Sequence, residues 1–514
     1  MSEKINKTLR KNFWGSVSVY AFLAIKILSG FAISIILVRG LSQEEYGIYK
    51  LFDSILIVGL TLTNLGLDKS FLRYGSELLT NRNYFGLKRL LRSMIQFRVC
   101  AAILCGIAFI SFMGPISSLL NIPSSTASLF PIVILILLFL GVNDLFGDVF
   151  HRVRMDHVIV SFNQITVKIL IVLGFMLAVF MGMGLFTIFL VMLVTEIISL
   201  VLYFFTNYQW SKRIRNKWEL IFTGKYFENG FIERIKNFTF YYFIISLVNL
   251  FRSLMVDNLV ISYFLDAKNV AIYALAATLI SFAVNLNPAS MLRGVFNPIF
   301  VSRYTTSNDK EELIWGFTLL TKLIIFATLP AFTFLFLMGD KIIYIIFTKE
   351  YLPAVVPIKW LCVFFFISGF HYPFLPLLDT LEKNEVFLIG GFFSIYNLIL
   401  SIVLVPKIGI LGAAFATGSA GVFQLLIIWM LTVWYVKIKI YFPWKSLLKT
   451  VLNLVPVITL TILLKHHIEN FWALVFSILI FGIFYLLFAF FNKIFSDKER
   501  TVFNSAIGKK IWLF

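Results

Sequence analysis

Charge is in short supply in this sequence. Asp, Glu, Lys and Arg make up 14% of its 514 residues, against the roughly 25% typical of soluble proteins. That shortage excludes the about three or four soluble domains such a length would otherwise suggest. Cysteine is scarce too, and Cys100, Cys105 and Cys362 all stand in apolar stretches. No disulfide framework or thiolate metal cluster can be read from them. Catalytic signatures are missing: there is no P-loop, no G-x-G-x-x-G and no G-x-S-x-G, and His151, His157, His371, His466 and His467 show no H-E-x-x-H spacing. An enzyme is not expected, and without a P-loop neither is ATP hydrolysis by the usual route.

Apolar residues are in excess, at 60% of the chain, and at about 20 residues per crossing they describe a polytopic membrane protein. Apolar runs between charge clusters and Pro, Gly or Asn breaks give about fourteen spans. They fall at 16–38, 48–67, 94–114, 130–149, 158–180 and 185–205, then at 238–264, 270–292, 313–338, 355–377, 386–405 and 410–435, and finally at 450–464 and 471–491. The first is too long for a signal h-region and no A-x-A site follows, so it reads as a retained span. With the N-terminus inside, 32 of the 45 Lys and Arg fall in cytoplasmic connections and 7 in outer ones. Positive residues are retained on the cytoplasmic side, so both termini are expected there. The net charge of +19 then belongs to loops lying against anionic headgroups, and no nucleic acid partner is expected.

The two halves repeat. Leu41-Ser-Gln-Glu-Glu-Tyr-Gly-Ile-Tyr49 ends span one and opens span two, and Leu265-Asp-Ala-Lys-Asn-Val-Ala-Ile-Tyr273 does the same for spans seven and eight. The offset is 224 residues, with Gly47 replaced by Ala271, and Arg73-Tyr74 and Arg303-Tyr304 recur further on. Six spans in each half make the repeat parallel, and transporters with such repeats place their substrate between them. The expected all-α, multi-pass organisation is an N-terminal lobe of six helices at 1–206, a cytoplasmic linker at 207–237, and a C-terminal lobe of six helices at 238–436. Two further helices and a cytoplasmic tail occupy 437–514.

Three stretches carry a resemblance. They are Leu37-Val-Arg-Gly-Leu-Ser-Gln-Glu-Glu-Tyr-Gly-Ile-Tyr-Lys-Leu-Phe52 with Asn64-Leu-Gly-Leu-Asp68, then Val256-Asp-Asn-Leu-Val-Ile-Ser-Tyr-Phe-Leu265 with Val270-Ala-Ile-Tyr273, and the run from Asn397 through Pro406-Lys-Ile-Gly-Ile-Leu-Gly412 to Thr417. Together they resemble the polysaccharide biosynthesis and O-antigen flippase family of the multidrug/oligosaccharidyl-lipid/polysaccharide (MOP) exporter superfamily. The resemblance implies a MATE-like pair of lobes around a central cavity in the cytoplasmic (inner or plasma) membrane. It also implies alternating access, and as cargo a lipid-linked oligosaccharide of the polyprenyl-phosphate type. No cofactor is expected other than a coupling proton or Na⁺. The expected partners are the cargo, membrane lipids and, transiently, polysaccharide assembly enzymes, with the protein itself a monomer. Asn258 stands where relatives often carry a basic residue. The Pro406–Gly412 stretch reads as a tight hairpin with small residues for helix packing, without a chemical role.

Ionisable groups at mid-bilayer cost roughly 3 kcal/mol or more on insertion scales, so each needs a partner, water or a function. Lys26 is near the centre of span one, and the repeat offset places Arg252, in span seven, level with residue 28. Two cations at matched depth suit the pyrophosphate of a lipid-linked sugar, since Arg grips phosphate bidentately and Lys acts as a point charge. The competing reading pairs each with a carboxylate in its own lobe. Lys168, mid-span five, is a third candidate for the substrate site, whereas Lys322 and Lys359 are close enough to span ends to snorkel. Glu196 and Asp257 are the carboxylates able to carry a coupling proton or Na⁺; Asn143 with Asp144 reads as satisfying helix contacts. A drug/cation antiporter of the same superfamily would favour carboxylates in the cavity. A polysaccharide polymerase would need a long outer loop, and the outer connections here are about sixteen residues or shorter.

Overall fold

The computed structural model describes residues 25–507 and 513, apart from 26, 127, 219–226, 228, 229, 252, 286, 288–309 and 384. The described residues form helices and contain no strand. Helices are what this composition dictates, because a backbone in hydrocarbon must satisfy its own hydrogen bonds. Twelve of the described helices are long and apolar enough to cross a membrane. The pair Phe231–Leu250 and Leu254–Phe264, bent by 51° at the break between them, makes a thirteenth, and Ile27–Gly40 is the described part of the expected first span. The expected span 238–264 is therefore a broken helix, and the described count is twelve to thirteen against fourteen expected.

By contact the chain divides into two compact units, one of them residues 28–271. It holds α1 (Ile27–Gly40), α2 (Gln43–Asn64), α3 (Leu67–Thr80), α4 (Tyr84–Ser111), α5 (Met113–Leu119) and α6 (Leu129–Val142). A π-helical stretch, Asn143–Val149, runs straight on from α6 into α7 (Phe150–Val153). After these come α8 (His157–Phe180), α9 (Leu185–Trp218), α10 (Phe231–Leu250), α11 (Leu254–Phe264) and the start of α12 (Ala267–Asn285).

The sequence repeat turns out to be a repeated signal for starting a helix. Ser42 accepts the Glu45 amide at 3.2 Å while the Glu45 carboxylate accepts the Ser42 amide at 2.9 Å, a capping box that opens α2. At the equivalent position, Asp266 accepts the Asn269 amide at 2.8 Å and opens α12. The Gly47/Ala271 difference is steric: a Cβ on Gly47 would stand 1.8 Å from the carbonyl oxygen of Ala267. Only glycine lets α2 and α12 approach backbone to backbone there.

Within this unit α2 packs on α4, α6 and α11, and α9 packs on α6 and α8. Phe52 sits edge-on to Phe130 and Phe189, with ring centroids 5.1 and 5.7 Å away. A second cluster, with Phe71, Leu90, Met94, Leu145 and Phe150 among its members, ties α3 and α4 to the π-helical stretch.

The other unit takes in residues from 272 onward. Its longest element is α13 (Lys310–Ile346), which keeps Pro330 inside the helix. Then come α14 (Val355–Ser368), α15 (Phe374–Thr380), α16 (Glu385–Gly391), α17 (Phe393–Ile408), α18 (Ile410–Trp434), α19 (Trp444–Lys465), α20 (Phe471–Asn492) and α21 (Asp497–Ile507). α13 packs on α14, α19 and α20 around a core that includes Leu320, Ile324, Phe374, Ile428 and Tyr485. The expected hairpin joins α17 to α18; its turn residue is Gly409, at φ 64°, while Pro406 lies inside the last turn of α17. Lys322 does not snorkel: its ammonium reaches the Glu499 carboxylate of α21 at 2.8 Å. Lys359 lies over the Phe336 ring, 5.6 Å from its centroid.

Candidate functional site

Midway along α4, Arg98 points into the unit formed by residues 28–271, with a side chain 1% exposed. Nη1 donates to Asp68 Oδ1 at 2.6 Å and Nη2 to Asp144 Oδ2 at 3.4 Å. Asn64 Nδ2 donates to the other Asp68 oxygen at 2.6 Å. One guanidinium thus joins the end of α2, the start of α3, the middle of α4 and the π-helical stretch. With both carboxylates ionised, the trio carries one negative charge in excess.

The rod from Leu129 to Val153 changes to π hydrogen bonding over Asn143–Val149. A π turn accommodates one extra residue and recurs at functional sites. Here it presents polar side chains toward α8 and α9. Asn143 Nδ2 donates to Glu196 Oε2 at 2.7 Å and to the Glu196 carbonyl at 2.9 Å. Asp148 accepts from the Tyr203 hydroxyl and from the Gln164 amide. Tyr203 lies across Gly147, where a Cβ would stand 2.1 Å from its ring, so the glycine is what admits the phenol to Asp148. His151 Nδ1 donates to the Gly147 carbonyl at 2.7 Å, and its Nε2 meets the Thr206 hydroxyl at 3.1 Å.

Asn143 is 5% exposed, and its Oδ1 has no hydrogen-bond partner among the described residues. A buried acceptor left open on the same amide that holds Glu196 is suited to a proton donor or a small cation. The site therefore combines fixed carboxylates, an open acceptor and a balancing guanidinium inside apolar helices. Among the described residues no group of three or more His, Cys, Asp or Glu is arranged to hold a metal ion.

Of the residues singled out in the sequence, the structure brings Glu196 and Lys168 together: Lys168, on α8, acts electrostatically on the Glu196 carboxylate of α9. Asp257 is 1% exposed on α11, a helix that packs on α2 and whose Asn258 donates to Ser54 at 3.1 Å. It belongs to a different helix pair from Glu196. Lys26, Arg252 and the Arg303-Tyr304 copy of the repeat lie outside the described residues. Asn143 and Asp144 do satisfy helix contacts, and those contacts are to Glu196 and Arg98.

The family model described as "Polysaccharide biosynthesis protein" matches residues 36–356, more than half of the chain. The chain belongs to that family. This family member shares its fold with transporters of the MOP superfamily. It is similar to the lipid II flippase MurJ in an inward closed conformation, with a TM-score of 0.71 and 18% identity over 93% of this chain and 99% of that one. It is also similar to an inward-facing multidrug resistance MATE family transporter, with a TM-score of 0.64 and 11% identity over 80% of this chain and 94% of that one. The MATE multidrug transporter DinF-BH gives a TM-score of 0.57 and 14% identity over 82% of this chain and 95% of that one. No curated protein matches the sequence.

Two participants escaped the reading of the sequence. Arg98 lies four residues into the expected third span, just past the basic run Lys88, Arg89 and Arg92, and so passes for the tail of a cytoplasmic cluster. Asp148 sits at the edge of the expected fourth span. The signal that could have found both is that span's pair of acids, Asp144 and Asp148, four residues apart in an otherwise apolar run.

Proposed function

We propose that this protein flips a lipid-linked oligosaccharide of the polyprenyl-phosphate type across the cytoplasmic membrane by alternating access, for the assembly of surface polysaccharide. The family match over residues 36–356 carries this reading, and the likeness to a lipid II flippase over 93% of the chain supports the lipid-linked class of cargo. The drug antiporter alternative rests on the shared fold alone. Coupling to a proton or Na⁺ gradient is assigned to Glu196, held by Asn143 and balanced by Lys168, with Asp257 as a second carrier. Lys26 and Arg252 are assigned to the cargo's phosphates. Both termini are placed in the cytoplasm by the distribution of Lys and Arg.

The test uses sealed proteoliposomes containing a fluorescent lipid-linked oligosaccharide, with a proton or a Na⁺ gradient imposed separately. Movement is expected without ATP. Lys26→Ala and Arg252→Ala should each abolish it, and Glu196→Gln should slow only the gradient-driven component. Movement of a cationic dye in place of the lipid-linked sugar would turn the reading toward the drug antiporter.

A further inference from the structure

Near the N-terminal ends of α4 and α10, inside the unit formed by residues 28–271, lies a cavity of about 550 Å³ whose wall is almost wholly apolar. The volume falls within the roughly 300–1,000 Å³ typical of small-molecule sites. One side is a single face of α4, Leu90, Met94 and Phe97 with Ser93 between them, and the other is a face of α10 that includes Ile235, Lys236 and Phe240. The two sides are held in place independently of any occupant. α10 is fixed to α3 by Ser70 and Thr239 at 2.7 Å, by the Tyr74 hydroxyl donating to the Arg234 carbonyl at 3.1 Å, and by Arg234 with Glu77 at 3.2 Å. α4 is fixed to α3 and the π-helical stretch by the Phe71–Met94–Leu145 core. Phe240 and Phe97, 67% and 58% exposed, leave the cavity open to its surroundings.

The charged residue in the lining is a cation, with Glu233 three residues before it in the first turn of α10. Lys236 lines the cavity and forms no ion pair with a described residue, whereas its neighbour Arg234 is committed to Glu77. Arg89 stands one turn before Ser93 on the same face of α4. Both helices point their N-terminal, dipole-positive ends to this side, which the distribution of Lys and Arg assigns to the cytoplasmic leaflet. We propose that this cavity is a resident site for an anionic glycerophospholipid of that leaflet, with an acyl chain between α4 and α10 and the phosphate at Lys236. Because the cavity lies wholly within one compact unit, it need not open and close with a transport cycle, which suits a resident lipid better than a passenger. The proposal is independent of what the protein transports.

Native mass spectrometry of the delipidated protein, titrated with phosphatidylglycerol or phosphatidylcholine, tests it. One tight phosphatidylglycerol site is expected, with phosphatidylcholine weaker by about tenfold, and Lys236→Glu should abolish that preference. Ser93→Trp, which fills the cavity, should remove the bound lipid altogether, while Lys407→Glu, an exposed basic residue elsewhere, should leave it. Equal binding of the two lipids, or binding untouched by Lys236→Glu and Ser93→Trp, would overturn the proposal. So would polyprenyl phosphate displacing phosphatidylglycerol stoichiometrically, which would give the cavity to the cargo instead.

Discussion

In residues 28–271, Arg98, Asp68, Asp144, Asp148 and Glu196 are drawn from several helices into hydrogen-bonded contacts within the helix bundle. From residue 272 onward, ion pairs join neighbouring elements two by two: Lys465 to Asp340 at 2.8 Å, Lys383 to Glu385 at 3.6 Å, and Lys322, inside α13, to the first turn of α21 at Glu499. The same side-chain types thus do different physical work. Lys465–Asp340 and Lys383–Glu385 keep their water and fasten neighbouring segments for little cost, while Lys322–Glu499 is a buried one-to-one pair. In the trio Asp68–Arg98–Asp144 the guanidinium is enclosed and the carboxylates are half-buried, so the cost of desolvating Arg98 offsets much of the attraction.

The sharpest way to break this contrast is Arg98→Ala, which leaves the half-buried Asp68 and Asp144 carboxylates without their cation and should cost about 3 kcal/mol, read as a fall in thermal unfolding in detergent. Arg98→Met combined with Asp68→Asn and Asp144→Asn should recover most of that stability without recovering transport. If the triple variant also transports, the trio is only a fastener. Gly147→Ala, which drives a methyl group into the Tyr203 ring, should cost about 1–3 kcal/mol and weaken gradient-driven transport beyond what the lost stability explains. In the other unit, Lys322→Met should cost about 2 kcal/mol by stranding Glu499, and adding Glu499→Gln should restore both stability and full transport. The smallest effect is expected at Lys465→Ala, below about 1 kcal/mol with unchanged transport; a transport defect there would bring the second unit's charges into the mechanism.

Much of the architecture was legible because membrane helices announce themselves by length and hydropathy. The repeat at Leu41–Tyr49 and Leu265–Tyr273 was legible for a more local reason: Ser42 and Asp266 cap helices using residues within three positions of themselves. The site was legible only in part. Burial depth follows from position along a span, so Glu196 stood out, and Lys168 with it. Azimuth does not follow, and a nine-residue repeat cannot say which face of α4 carries Arg98 or that it turns to Asp68, thirty residues upstream. The break in the expected span 238–264 falls between Leu250 and Leu254, across Arg252 and Ser253, polar residues that the expected span holds inside one continuous helix. Lys322 was misplaced because its partner, Glu499, lies 177 residues away in the tail.

The rod from Leu129 to Val153 can also be viewed as a matter of phase. Each residue of an α-helix advances about 100° around the axis, so one residue accommodated in a π turn rotates everything beyond it by that amount. Upstream, Ile132 and Ile136 are buried one turn apart; downstream, Phe150, His151 and Val153 are buried on more than one face. The two ends of the rod meet different neighbours, α6 packing on α2, α4 and α9 and α7 on α3 and α8. Deleting one residue between 143 and 149 would re-phase the downstream end and turn His151 away from Thr206. Chain length at this point, more than side-chain identity, holds the two alignments together.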